Sequence, residues 1–323
     1  MISVFVHRHG VTERVPAVDP SWLDPTTGVV VWVDLAAPTA EESRVLEDVF
    51  RFHPLAVEDA LSAVHHPKIE AYDGYLYLIL HGIDFHASAH HFATHDTDFF
   101  LGPNYLVTVH DGETRSIAHT QDVCARNQQL LAEGPIGLLH RIIDTMVDHY
   151  RPEVDKLEDQ IEGLEESVFE HPGPAALRDM LALKRDVASL RRVTLPQRDA
   201  VGRLARREFP MISLEMAYRF RDVYDQLVRL SEEALVLHDR VSSLVDAHLS
   251  NTSNRLNEVM KTLTVITAIA VPFTVMGGLY GMNVRLPGVG EGDGGPLLFW
   301  WLVGGTACFV AVITAVLRHL RKL

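Results

Sequence analysis

The tripeptide Gly281-Met282-Asn283 closes an uncharged apolar run, Thr262 to Val284, in a chain that is otherwise acidic. A ring of asparagine carboxamides, one from each of several copies, can accept and donate hydrogen bonds to the water shell of a cation without stripping it. That suits magnesium, a hard ion that dehydrates reluctantly; a ring of carboxylates would bind more tightly and release more slowly. Upstream, Asn257, Met260, Thr264, Thr267, Val271, Thr274 and Gly278 follow one another at alternating steps of 3 and 4. On a helix that spacing gathers them on one seam. Two readings of the seam stay open. Small and polar residues are what helix–helix contacts in lipid favour. Hydroxyls and a carboxamide are also what a water-filled pore presents, with Met260, Leu263 and Val271 as apolar constrictions.

The elements that must position these residues follow from hydropathy. Thr262 to Val284 and Pro296 to Leu317 are both free of charged residues, and each is long enough to cross a bilayer core, which takes about 20 helical residues. The expected organisation is a cytoplasmic α/β domain over 1–135, a cytoplasmic helical and stalk region over 136–260, and a first transmembrane helix over 261–284. An external loop over 285–295, a second transmembrane helix over 296–317 and a basic cytoplasmic tail over 318–323 complete it. Arg255 and Lys261 precede the first span and Arg318, Arg321 and Lys322 follow the second, whereas the connecting loop sets one arginine against Glu291 and Asp293. The positive-inside rule then puts both termini in the cytoplasm of an inner-membrane protein and the acidic loop outside.

Upstream of the spans, Val29–Asp34, Tyr75–Leu80 and Asn104–Val109 read as strands, and Pro38-Thr39 with Glu41 and Glu42 reads as a helix start. From Ile136 the pattern turns to long helices, with Val154, Leu157, Ile161, Leu164 and Val168 at helical spacing. Pro172-Gly-Pro174 and Arg207-Glu-Phe-Pro210 mark breaks. The acidic stretch Glu153–Glu170 and the basic stretch Arg178–Arg207 predict an antiparallel helical pair whose faces attract. The last helix is predicted to run from about Ser213 straight through the first span.

Composition narrows the function. With 43 acidic against 29 basic residues the formal charge is −14, which argues against a nucleic-acid partner, since phosphate binding rests on Lys and Arg. Two cysteines without a CxxC pattern exclude a disulfide scaffold and fit a reducing compartment. No nucleophile–base set, HExxH pattern or phosphate-binding loop is visible, so an enzyme is the least supported class. Of 18 histidines, His86, His90, His91 and His95 cluster within ten residues; imidazole suits zinc, cobalt or nickel, while an exposed, unliganded edge accounts for the same spacing.

Asn257 through Asn283, ending in Tyr280-Gly281-Met282-Asn283, resembles the first transmembrane helix of the CorA family of divalent-metal transporters. His53-Pro54-Leu-Ala-Val-Glu58-Asp59 with Pro67-Lys68 and Tyr72 is similar to that family's N-terminal pattern. Leu190-Arg-Arg192, Pro196 and Tyr218-Arg-Phe-Arg-Asp-Val-Tyr-Asp225 resemble its helical region. The resemblance implies an α+β membrane protein: a homopentameric funnel with a cytoplasmic α/β/α domain, a long stalk helix and two transmembrane helices. It implies Gly281, Met282 and Asn283 as the selectivity filter and Asn257, Met260, Leu263, Thr264, Thr267, Val271, Thr274 and Gly278 as pore lining or gate. It also implies Asp222 and, from a neighbouring copy, Asp84 as ligands of a cytoplasmic regulatory metal. The transported and regulatory ion would be Mg2+, with Co2+, Ni2+ or Zn2+ as further candidates. The Gly-rich loop after the signature is similar to the ZntB branch, which implies the alternative of a zinc transporter, proton-coupled in one version. A membrane-anchored structural or signalling coiled coil is the alternative of another class.

Overall fold

The computed structural model describes residues 1–62, 66–83, 94–112, 114–127, 129–170, 174–281 and 295–320. Two compact units result, Met1–Val245 and Asp246–Leu323.

In the first unit a single sheet holds β1 (Ile2–Arg8), β2 (Val11–Val15), β3 (Val30–Ala36), β4 (Lys68–Tyr72), β5 (Tyr75–Ile83), β6 (Thr94–Leu101) and β7 (Tyr105–His110), in the order β2-β1-β3-β7-β6-β5-β4. The pairs are antiparallel except β3 with β7. Alternation along each strand divides the core in two. Tyr75, Tyr77, Ile79, Phe100 and Val107 meet α1 (Arg44–Asp48) and α2 (Pro54–Leu61) on one face, where Phe52 stacks on Phe100 with ring centroids 4.2 Å apart. Leu76, Leu78, Leu80, Phe99 and Leu106 share the other core with α3 (Arg115–Arg126) and α4 (Gly134–Asp148). The domain is therefore three-layered, helix on sheet on helix. Thr39 and Glu42 form a reciprocal cap ahead of α1, the Thr39 amide donating to Glu42 Oε2 (2.9 Å) and the Glu42 amide to Thr39 Oγ1 (3.3 Å).

Beyond the sheet, α5 (Tyr150–Glu170) and α6 (Pro174–Ala205) pack through Val154, Leu157 and Ile161 against Met180, Leu183, Val187 and Leu190. Their contact is apolar, and here the expectation of charge attraction needs correcting. Among the described residues, the ion pairs that tie α5 to another helix run to α7 (Leu214–Gly281): Arg240 meets Glu165 (3.0 Å) and Glu158 (3.4 Å), and Arg151 meets Glu233 (2.8 Å). The reason is geometric. The residues of α6 that face α5 are its apolar ones, and its arginines fall on other faces. After Ala205 the chain reverses through Arg207, whose φ of 56° is left-handed. The Glu208 amide donates to the Arg203 carbonyl and the Arg207 amide to that of Leu204, the paired bonds of a helix-ending Schellman turn.

Helix α7 begins at Leu214, and its N-terminal half buries Phe220, Val223, Leu227, Leu230, Ala234, Leu237, Val241 and Leu244 at alternating steps of 3 and 4. The two compact units divide at Val245, within this helix. A last helix, α8, spans Gly295–Leu320. Among the described residues α7 is the one helix long and apolar enough to cross a membrane, and α8 carries the shorter apolar stretch Val303–Ile313.

Candidate functional site

All seven seam residues of α7, from Asn257 to Gly278, are exposed, as is Leu263. Met260 and Leu263 stand 59% and 55% exposed, and among the described residues nothing covers the apolar window of the helix. A soluble helix of this composition would be buried; this one fits membrane insertion. The threonine hydroxyls take one conformation throughout. Thr264 donates to the Met260 carbonyl (2.7 Å), Thr267 to Leu263 (2.8 Å) and Thr274 to Ala270 (2.9 Å). Each hydroxyl proton is thereby spent on the backbone, and the oxygen keeps its lone pairs for an outside donor. Such oxygens suit the outward-pointing protons of a hydrated cation. Pro272 sits inside the helix; having no N–H, it leaves the Ala268 carbonyl without its usual donor.

Gly281 is the last residue of α7. Met282, Asn283, Glu291, Asp293 and Asp84 lie outside the described residues, as do His86, His90 and His91. His95 lies in β6, the strand whose Phe99 and Phe100 are fully buried in the sheet core. The strand that leads toward Asp84 is well anchored. At His81 its amide donates to Gln197 Oε1 (2.9 Å) and its carbonyl accepts from the Tyr150 hydroxyl (2.7 Å).

Asp222 lies exposed on α7. The arginines beside it are otherwise engaged: Arg219 pairs with Glu133 (2.9 Å) and Glu215 (3.0 Å), and Arg221 lies over the Tyr218 ring. Its own charge is felt on α4. Asp148 has its carboxyl raised above the ordinary range by partial burial, by Asp144 and by Asp222. Asp148 thus takes up its charge less readily beside two further carboxylates, an effect that a nearby cation would relieve. Among the described residues no three His, Cys, Asp or Glu side chains of one chain converge on a metal position, so a metal held at Asp222 needs ligands from elsewhere. Sequence reasoning missed Asp144 and Asp148, because only the packing of α4 beside α7 brings them to Asp222.

A second set was also missed. Asp225, Glu232, Asp239 and Asp246 are exposed on α7 at steps of seven. The same step carried forward in the sequence reaches Met260, Thr267 and Thr274. The signal was in the sequence, but the apolar heptad beginning at Phe220 dominates that stretch.

Comparison with known proteins follows the same line. The family described as CorA-like Mg2+ transporter protein matches residues 27–319. The cobalt/magnesium transport protein CorA of Thermotoga maritima is 32% identical over 73% of this chain and 68% of its own. The Bacillus subtilis protein YfjQ is 34% identical over 84% of this chain and 81% of its own. The solved CorA magnesium transporter of Methanocaldococcus jannaschii matches at a TM-score of 0.78 with 20% identity, covering 98% of this chain and 97% of that one. At that identity the likeness speaks for the fold.

Proposed function

The chain belongs to the CorA-like Mg2+ transporter family, and on that premise we propose that it is a channel for hydrated divalent cations, Mg2+ foremost, with Co2+ or Ni2+ as further cargo. In this reading the chain is a homopentamer in the inner membrane, with α7 and α8 each spanning once and both termini cytoplasmic. The α7 seam lines the pore, and the Gly281-Met282-Asn283 turns form a ring at the outer mouth.

The observation that carries the proposal is the seam itself: exposed along its whole length and bearing hydroxyl oxygens whose protons are already donated to the backbone. A cation that keeps its water shell meets acceptors for those waters at Thr264, Thr267 and Thr274, and amide groups at Asn257 and Asn283. Between them Met260, Leu263 and Val271 narrow the path with apolar side chains, a gate that closes by excluding water. Asp225, Glu232, Asp239 and Asp246 raise the local cation concentration on the cytoplasmic side. An inside-negative potential contributes about 2.3 kcal/mol per charge per 100 mV, enough to drive a divalent ion inward without nucleotide hydrolysis.

Feedback uses the cytoplasmic carboxylates. Asp222, with Asp144 and Asp148 beside it and Asp84 of the partner subunit opposite, would hold a regulatory cation when internal levels are high and keep the copies in the closed arrangement. The negative field at Asp148 supports this assignment.

The direct test is Asn283→Ala in proteoliposomes. Conduction through a carboxamide ring predicts loss of Mg2+ entry with oligomer size unchanged. Entry at the unaltered rate would remove Asn283 from the filter and leave the seam as an assembly contact.

A further inference from the structure

Helix α6 carries Arg178, Arg185 and Arg192 at steps of seven, all three exposed. They lie opposite the face by which Met180, Leu183, Val187 and Leu190 enter the core. Among the described residues none of the three has an ion-pair partner, although other arginines of the same helix do: Arg198 meets Asp199 and Arg203 meets Glu208. Helix α5 shows the complementary arrangement. Asp155, Asp159, Glu162 and Glu166 follow at steps of 4, 3 and 4, all exposed, on the side away from Val154, Leu157 and Ile161. Of these, Asp155 is held by Arg151 (3.0 Å).

At 1.5 Å per residue the basic stripe is about 21 Å long and the acidic one about 17 Å, so one can lie along the other. They do not do so within the chain, because each points away from the apolar contact that joins the two helices. Patches that are complementary but different and sit on separate faces make a head-to-tail contact, and such a contact closes into a ring when the rotation allows. We propose that the Arg178–Arg185–Arg192 stripe of α6 seats on the Asp155–Asp159–Glu162–Glu166 stripe of α5 in the next copy of the chain, clasping the cytoplasmic parts of the assembly around the α7 helices. The partner is argued from charge. In a chain of formal charge −14 a row of arginines without counterions is a local exception, and a second copy supplies the matching row. A nucleic acid would be repelled by the remaining surface.

This contact rests on the self-assembled channel proposed above and adds to it how neighbouring copies recognise one another. It is tested on the full-length protein in detergent by native mass spectrometry, with circular dichroism to confirm helix content. The three variants are Arg178→Glu/Arg185→Glu/Arg192→Glu, Asp159→Arg/Glu162→Arg/Glu166→Arg, and the six substitutions combined. Each reversal alone is expected to raise the protein concentration needed for half-assembly about tenfold or more, and the combined swap to restore it, because like charges face each other in the first two and opposite charges in the third. The wild-type assembly should also loosen as salt rises toward about 1 M, where screening shortens to about 3 Å. Reversal variants that fold and assemble like the wild type contradict the contact, as does a combined variant that stays dissociated. An α6 reversal that leaves assembly intact but weakens binding to phosphatidylglycerol vesicles assigns the stripe to lipid and likewise contradicts it. A wild-type chain that is monomeric under all conditions contradicts the self-assembled channel itself, which separates the two failures.

Discussion

At the scale of single residues the sensor is the most exposed to test. Asp148 has its carboxyl raised by partial burial, by Asp144 and by Asp222, and it can meet a cation only once it has lost its proton. Lowering the pH through that raised range therefore weakens cation binding, and protection of the cytoplasmic domain from protease by Mg2+ should need more Mg2+ as pH falls. Asp222→Asn removes one of the three carboxylates; it should shift that protection to about tenfold higher Mg2+, and protection that ignores both pH and the substitution contradicts the sensor. Asp98 gives an independent pH signal from the fold. Burial is the main reason its carboxyl is pushed up to about 7, with Asp96 and Asp59 adding to the effect and the hydrogen bond from Tyr77 (2.5 Å) opposing it. A raised folded-state value means stability that is greatest below the ordinary carboxylate range and is lost as pH rises toward 7. Asp98→Asn should flatten the thermal stability profile between about pH 4 and 7, and an unchanged slope there would show that Asp98 is not its source. Asn257 and Asp222 were singled out in the sequence, and both lie exposed on α7. Asp144 and Asp148 were not, since only the packing of one helix beside another far along the chain brings them near Asp222.

At the scale of elements, α7 makes two different demands along its length. Its first half is a core helix, with Phe220 and Val241 fully buried, and Phe220→Ala should cost about 3–5 kcal/mol by the usual toll of a large aromatic cavity. Further on the same helix is exposed, and Met260→Ala or Leu263→Ala should leave the unfolding of the cytoplasmic domain unchanged while altering conductance. Denaturation followed through the domain, beside flux, checks both; a large stability loss at Met260 would mean that its side chain is part of a packed core. Arg240 belongs to a third class. Its pairs with Glu165 and Glu158 are about a third to a half exposed, so Arg240→Ala should cost no more than about 1 kcal/mol. The three strands and the helix breaks at Pro172-Gly-Pro174 and Arg207–Pro210 were legible because turn residues and period-two runs are local signals. The edge strands β2 and β4, short and half exposed, lack that contrast. The attraction expected between α5 and α6 was misread because charge counts along a helix do not say which face carries them.

At the scale of the whole molecule, two properties must be reconciled: a formal charge of −14 and an apolar helix that no described residue covers. In the proposed reading a bilayer and further copies of the chain resolve the second, and a cation that is attracted, conducted and then sensed gives the first a use. The central claim is voltage-driven passage of a hydrated divalent ion, and ion entry into proteoliposomes tests it most directly, with Mg2+ and Zn2+ compared under an imposed potential and then under an imposed proton gradient. The account predicts Mg2+ entry that follows the potential and is indifferent to protons; Zn2+ entry that rises with the proton gradient, without Mg2+ entry, would contradict it.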